Sequence, residues 1–453
     1  MSRIVIVGAN HAGTAAANAI LDNHPGNEVV IIDQNSDISF LGCGMALWIG
    51  RQISGPDGLF YQTKEGFEAK GATVLMETRV ESIDYDAQVV HAVAVDGTRV
   101  DQPYDKLILA TGSLPIIPPI EGVDLQNVQR VKLFQDAQAV VEKLKDPAIR
   151  RVAVVGAGYI GVELAEAFQR NGREVTLVDM APTCVSGNFD EEFCDLMAEN
   201  LRSHGIELAF GEKVLRLEGE DGKVARVVTD KGTHQADLVC LCIGFKPNTA
   251  LFEGVGFDTL RNGALLVDHH QETSRRGVYA VGDCSSCYSN AKDGEPAYIA
   301  LATNAVRSGI VAGHNACGMA IEGVGVQGSS GICIYDLKMV ATGLTEAAAR
   351  KAGYDACVSD FSQVQKATFV ETENPENPEV KICVVFDGTT RRVLGAQMAS
   401  TYDMSAGIHM FSLAIQEGLT IDRLALLDVF FLPHFNQPYN YYTMAAYSAV
   451  LGA

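Results

Sequence analysis

Apolar residues open the chain in short unbroken runs. Arg3 is followed by Ile4, Val5, Ile6 and Val7, and Glu28 by Val29, Val30, Ile31 and Ile32, with no polar residue inside either run. Runs of this length without alternation predict strands buried on both faces, as in a parallel sheet covered by helices. Between them, residues 14–21 are Ala-rich and predict a helix, which Pro25 and Gly26 break. The turn between strand and helix reads Gly8, Ala9, Asn10, His11, Ala12, Gly13, and the second strand ends in Asp33. The same grammar returns at residues 151–155. The turn there is Gly156, Ala157, Gly158, Tyr159, Ile160, Gly161, a helix follows to about Asn171, and a strand over 174–179 ends in Asp179. Each copy is closed by a later apolar run with a glycine at its end, 104–113 and 236–247, and a further run over 277–284 delivers Asp283 at its tip.

Two copies of strand, glycine turn, helix and acid-tipped strand predict two Rossmann-like dinucleotide-binding units in an α/β fold. The glycines let a pyrophosphate meet the helix N-terminus, and the acid takes a ribose hydroxyl. The first copy has Asn10 where GxGxxG has its middle glycine; the second has the full motif. Met180, Ala181 and Pro182 follow Asp179, with no Arg or Lys to hold a ribose 2′-phosphate, which favours NAD(H) over NADP(H). Prolines 115, 118 and 119 mark a crossing between the units, and residues 298–309 predict a helix. Beyond Gly323 the glycine grammar stops. Residues 380–387 and 392–399 alternate as strands and 403–417 read as an amphipathic helix, so 327–453 is expected to be a separate α+β domain.

Composition narrows the partners. At 453 residues, a length that suggests about three domains, the chain is 47% apolar and 20% charged. A net charge of −21 argues against nucleic acid and anionic membranes. No apolar run approaches the roughly 20 residues of a membrane span. The first apolar run stops at Gly8, unlike a signal peptide, so a cytoplasmic protein is expected. Eleven scattered cysteines do not make a secreted disulfide framework. Cys284 and Cys287 have CxxC spacing without a second half-site, and Cys240 and Cys242 read as strand filler; both pairs are expected to be structural, and no metal site is expected. His269 and His270 are expected at the surface.

One cysteine differs. Cys43 stands between Gly42 and Gly44, about one turn after the first acid-tipped strand and ahead of a mainly apolar run ending at Gly50. Flanking glycines would let another group approach the sulfur closely. A helix starting just after Cys43 would favour its thiolate through exposed N–H groups and dipole. His11, at the start of the first helix, is the natural proton manager, because imidazole holds or yields a proton near neutral pH. The most aromatic stretch, residues 427–442, is nearly free of charge and is expected to form a subunit interface.

Placed together, the GxxHxG turn, Ser39 to Gly44, Ala110-Thr111-Gly112, Gly156 to Gly161, Val281-Gly282-Asp283, Ala300-Leu301-Ala302 and the aromatic tail resemble the flavoprotein disulfide reductase superfamily from end to end. The chain is most similar to the single-cysteine branch of NADH oxidases, NADH peroxidases and coenzyme A-disulfide reductases, and within it to the water-forming oxidases. Where disulfide reductases proper carry a second cysteine five residues on, this chain has Trp48, which excludes dithiol chemistry there. The resemblance implies FAD and NADH as cofactors. Gly8, Asn10, His11, Ala12, Gly13 and Asp33 would hold the ADP part of FAD, Val80 its adenine, and Thr111, Gly112 and Ser113 would lie by its pyrophosphate. Lys132 would lie near the cofactor, Asp283 at the ribityl chain, and Ala300, Leu301 and Ala302 along the flavin ring. Gly156, Gly158, Tyr159, Ile160, Gly161, Asp179 and Gly244 would hold NADH, with Glu163 near the nicotinamide. Cys43 would cycle between thiolate and sulfenic acid while dioxygen is reduced to water. The implied domains are 1–120 and 248–326 for FAD, 121–247 for NAD, and 327–453 for dimerisation, giving a homodimer or a dimer of dimers. NADH peroxidase is the alternative activity, coenzyme A-disulfide reductase a more distant one, and a non-catalytic NAD(H)-binding redox sensor the contrasting class.

Overall fold

A computed structural model describes residues 2–370 and 377–451. Two five-stranded parallel sheets carry the nucleotide-type units. In the first, the strands run Val278–Ala280, Lys106–Leu109, Arg3–Val7, Glu28–Ile32, Thr73–Leu75 from edge to edge. In the second, the order is Glu207–Phe210, Glu174–Asp179, Arg151–Val155, Leu238–Leu241, Val128–Arg130. The unbroken apolar runs are central strands covered on both sides. Ile4 and Ile6 face the helices His11–Asn23 and Ala302–Ala316, while Val5 and Val7 face the antiparallel sheet formed by Thr78–Asp84, Val89–Ala94 and Arg99–Pro103. Because Val278–Ala280 pairs in parallel with Lys106–Leu109, the segment bearing Asp283 returns to the first sheet after the chain has built the second.

A two-stranded antiparallel ladder, Ser113–Pro115 with Phe245–Pro247, ties the closing loops of the two sheets together. Asn248 completes that tie: its N–H donates to the Gly112 carbonyl at 2.9 Å, and Thr111 Oγ1 donates to the Asn248 carbonyl at 2.8 Å.

The third unit is a five-stranded antiparallel sheet in the order Ser330–Ile334, Leu337–Gly343, Val393–Ser400, Glu379–Asp387, Ala356–Val364, packed against helices Ile408–Gln416 and Tyr441–Leu451. Tyr335 moors it to the helix Tyr159–Arg170. Its N–H donates to Glu166 Oε1 (2.8 Å), its hydroxyl to Gln169 Oε1 (2.9 Å), and its ring stacks on His204.

Two helix limits differ from the sequence expectation. The helix expected over 298–309 is Ala302–Ala316, because residues 295–297 are held in a hairpin with Cys287–Ser289 and Leu301 is still extended (φ −136°). The one expected over 403–417 reduces to Ile408–Gln416 after a short 3-10 turn at Ser405–Gly407.

Candidate functional site

The two glycine turns are built alike. Parallel pairing brings the ends of the three central strands of each sheet level, Val7 with Ile32 and Leu109, and Val155 with Val178 and Leu241. Helices His11–Asn23 and Tyr159–Arg170 then start at Asn10 and Gly158 with no side-chain cap and no acid in the first turn. Three other helices differ: Thr63 and Thr345 accept first-turn N–H groups of theirs, and Glu191 and Glu192 occupy the first turn of Glu191–Ser203. Bare, positively polarised N-termini fit phosphate. A Cβ on Gly158 would meet nothing within 4 Å, so the space over that turn is free, whereas one on Gly13 or Gly161 would lie 1.8 Å from the carbonyl oxygen of Gly8 or Gly156. The last glycines therefore serve helix–strand packing, and the turns fit the pyrophosphates of two dinucleotides.

Both strand-end acids do more than the sequence indicated. Asp33 Oδ2 accepts from the Ala9 N–H (2.6 Å) and Oδ1 from the Asn35 N–H (2.8 Å). Asp179 repeats the pattern with Ala157 (2.6 Å) and Ala181 (2.7 Å). Each acid thus braces its own glycine turn. Asp33 is buried, and burial pushes its carboxyl up against the pull of those N–H groups.

Asp283, Ser113 and Lys132 converge from three segments. Ser113 Oγ donates to Asp283 Oδ2 (2.7 Å), and Lys132 Nζ donates to Ser113 Oγ (2.9 Å) and lies 3.5 Å from Asp283 Oδ2. The ammonium also sits over the Phe245 ring, 4.3 Å from its centroid. Ala300 and Ala302 are exposed about Leu301, which opens the helix Ala302–Ala316 without a side-chain cap. Val80 is part-buried beneath the first sheet, and Gly244 is exposed at the second closing loop with φ +102°.

Cys43 lies in a 3-10 turn, Gly42–Gly44, that leads into the helix Met45–Ile49. Met45, Ala46 and Ile49 are buried against Ala165, Ala167 and Phe168 of the second turn helix, and Asn171 Nδ2 donates to the Ile49 carbonyl at 2.6 Å. That docking brings the thiol, on the first nucleotide unit, close enough to Glu163 of the second to feel its charge.

A Cβ on Gly44 would stand 2.3 Å from Leu59 Cδ2, so this glycine also serves packing under the turn. One expectation is corrected here. The thiol is raised, not lowered: burial and then the Glu163 carboxylate push it up, outweighing the backbone N–H groups of Cys43 and Gly44. A five-residue helix supplies too little dipole to reverse that. Glu163 itself is pushed up to about 7 by burial and by Glu166. Trp48, in the place of a second cysteine, stacks on Phe134 with centroids 5.6 Å apart.

His11 is the first residue of its helix, and its Nδ1 lies 2.9 Å from the Tyr61 hydroxyl. Burial lowers its pKa; the Asp283 carboxylate opposes this and the Lys132 ammonium adds to it. Tyr61 and Asn248 were not legible as site residues, because each acts through contacts made far along the chain. The remaining cysteine pairs are core residues: Cys240 and Cys284 are fully buried, with Cys242 and Cys287 beside them in part-buried positions. His269 is exposed and stacks on Tyr288, His270 is half-buried, and no metal-ligating cluster occurs among the described residues.

Two bare helix ends for dinucleotides, with one thiol held between their units, define a redox enzyme of the two-dinucleotide class. Residues 2–309 match the family model described as pyridine nucleotide-disulphide oxidoreductase, and residues 329–440 match its dimerisation domain. The chain belongs to that family and is an oxidoreductase. It is 58% identical to the NADH oxidase of Streptococcus pyogenes serotype M6, covering 99% of this chain and 100% of that protein. It is 52% identical to the NADH oxidase of Lactococcus lactis subsp. cremoris, again covering 99% and 100%. The water-forming NADH oxidase from Lactobacillus brevis, solved bound to NADH, superposes with a TM-score of 0.95 at 38% identity, covering 100% of this chain and 99% of that one.

Proposed function

We propose that this protein is an FAD-dependent NADH oxidase that reduces dioxygen to water, two NADH and two protons being consumed per dioxygen. The observation that carries this reading is the lone thiol of Cys43, partly enclosed by the protein yet on a residue that solvent still reaches, and held within the influence of Glu163 of the second nucleotide unit, with Trp48 instead of a resolving cysteine. Residues 1–120 and 248–326 would form the FAD domain, 121–247 the NAD domain and 327–453 the dimerisation domain of a homodimer.

Bound FAD would supply the carrier that takes hydride from NADH and delivers electrons to dioxygen. The chain's own residues do the rest. The first bare helix end, with Gly8, Asn10 and Gly13, binds the FAD pyrophosphate, and Asp33 orients the adjoining ribose. The Gly156–Gly161 turn and Asp179 do the same for NADH, and the Asp179 carboxylate repels a 2′-phosphate. Cys43 acts on oxygen at the peroxide level. Its thiolate attacks, an S–O bond forms, the O–O bond breaks, and hydroxide leaves to become water on receiving a proton from His11. A second NADH returns the sulfenic acid to thiolate with release of the second water, so one cysteine suffices.

The test is stoichiometric. Purified enzyme should consume two NADH per dioxygen with no effect of catalase. One NADH per dioxygen with accumulating peroxide would overturn the water-forming reading, and NADH consumption only on addition of peroxide would identify a peroxidase.

A further inference from the structure

Water formation consumes protons at a site whose histidine is part-buried, so the ring nitrogen that carries the proton must be fixed. We propose that Tyr61 is a positioning residue that fixes the proton of His11 on Nε2 by donating to Nδ1, and that it shares its own proton with Nδ1 as Nε2 gives its proton up.

The geometry comes from Ser39. This fully buried serine adopts φ +60°, a left-handed conformation that a serine holds only when its surroundings impose it. Its N–H donates to the Ala9 carbonyl in the first glycine turn (3.0 Å). Its hydroxyl accepts from the N–H groups of Tyr61 (3.0 Å) and Gln62 (2.8 Å) and donates to the Gln62 carbonyl (3.1 Å). Leu41 N–H adds a bond to the Leu59 carbonyl at 2.8 Å. The loop is thereby clamped to both the cysteine segment and the glycine turn. It lays the Tyr61 ring parallel to the His11 ring (6° between planes, centroids 5.8 Å apart) with the hydroxyl 2.9 Å from Nδ1. Nδ1 is therefore taken and the ring's rotation is blocked, which leaves Nε2 for the site.

Proton placement follows from acidity. Tyr61 is 48% exposed, yet burial of its remainder pushes its phenol up to about 12, so it keeps its proton. Burial holds His11 below its ordinary value, so its ring is neutral near pH 7, with Asp283 and Lys132 as the charged groups that act on it in opposite senses. A neutral imidazole nitrogen accepts from a phenol more readily than it donates to one, so the Tyr61 O–H points at Nδ1 and the ring proton resides on Nε2. Neutral imidazole does not release that proton alone. When hydroxide leaves the peroxide attacked by Cys43, it takes the Nε2 proton as Nδ1 takes the phenol proton. The imidazole remains neutral but now carries its proton on Nδ1; it regains the Nε2 tautomer when Nε2 takes a proton from solvent and Nδ1 returns its own to the phenolate. The balance is one proton from solvent to hydroxide, with no change in electrons. The identity of the acceptor rests on the oxidase reading; the tautomer does not.

Histidine labelled with 15N in both ring nitrogens, observed in the flavin-loaded protein near pH 7.5, tests the placement directly, with His11→Asn assigning the signal. The expected result is the Nε2–H tautomer, becoming a mixture in Tyr61→Phe, which keeps the stack and loses the hydroxyl. A Nδ1–H tautomer in the unmodified protein would overturn the proposal, and this arm stands even if the variant fails to fold. In kinetics, Tyr61→Phe should leave anaerobic flavin reduction by NADH unchanged. Dioxygen turnover should fall about a hundredfold, the lower end for a positioned proton donor, and the curved dependence of rate on D2O fraction should become linear. Unaltered turnover with unaltered curvature sinks the relay. Peroxide as the native product together with the Nε2–H tautomer would mean that the oxidase reading failed and the positioning survived.

Discussion

The Cys43 thiol titrates under the influence of Glu163 although the two belong to different nucleotide units. Glu163, pushed up to about 7, is neutral below that pH and charged above it, and only the charged form opposes the Cys43 thiolate. Replacing Glu163 with Gln removes that opposition, so alkylation of Cys43 by iodoacetamide, followed by mass spectrometry, should reach its midpoint at lower pH than in the unmodified protein. An unmoved midpoint would show that the thiol does not feel this carboxylate. The folded state also holds the Glu163 proton more tightly than the ordinary value of 4.5 allows. Its contribution to stability is therefore full below about pH 4.5 and lost as pH rises through about 7, a slope that Glu163→Gln should flatten. Cys43→Ser tests the thiol itself. Serine keeps the shape but cannot store an oxidising equivalent as sulfenic acid, so the variant should consume about one NADH per dioxygen and release hydrogen peroxide. Water as its product would make the cysteine structural.

The helix Tyr159–Arg170 carries three tasks along its length. Its N-terminus is bare, its middle packs on the cysteine segment, and its far end moors the third domain through Glu166 and Gln169. Its glycines separate packing from binding. In Gly161→Ala the new Cβ would collide with the Gly156 carbonyl, forcing the helix off its strand, an overpacking that costs about 1–3 kcal/mol and should appear as a lower Tm. In Gly158→Ala the new methyl enters open space, so Tm should hold while KM for NADH rises, because the methyl stands over the N–H groups that would receive the pyrophosphate. Equal loss of Tm in both variants would refute this division. Sequence spacing identified both glycines as one motif; it could not tell which faces a carbonyl and which faces ligand space.

At the scale of the molecule, the densest run of exposed apolar residues lies in the tail of the C-terminal domain. Leu426, Phe430, Phe431, Leu432, Phe435 and Tyr439 are all exposed, and the Phe430 and Phe435 rings meet edge to face, 6.1 Å apart. A contiguous apolar patch of this kind on a domain of the dimerisation type is expected to be covered by a second copy. Sedimentation velocity should give a dimer, and Phe435→Asp should shift it toward monomer without lowering the helix content of the chain. A monomeric unmodified protein would leave the tail without the role assigned to it.

The sequence by itself determined the α/β class with its two Rossmann-like units and the change of grammar that separates the C-terminal domain. These follow from local patterns: unbroken apolar runs, glycine turns and acid-tipped strands constrain backbone and burial within about 30 residues. It also singled out Cys43 and His11 by residue type and neighbours. Only tertiary structure decided what surrounds them. The rise of the Cys43 thiol comes from burial and from Glu163, 120 positions away in the chain; the Tyr61 partner of Nδ1 is set by a buried serine; and Gly44 is fixed by Leu59. Charge and desolvation act through space, so the sign of a pKa shift is a property of the packed molecule and leaves no periodicity in the chain to be read.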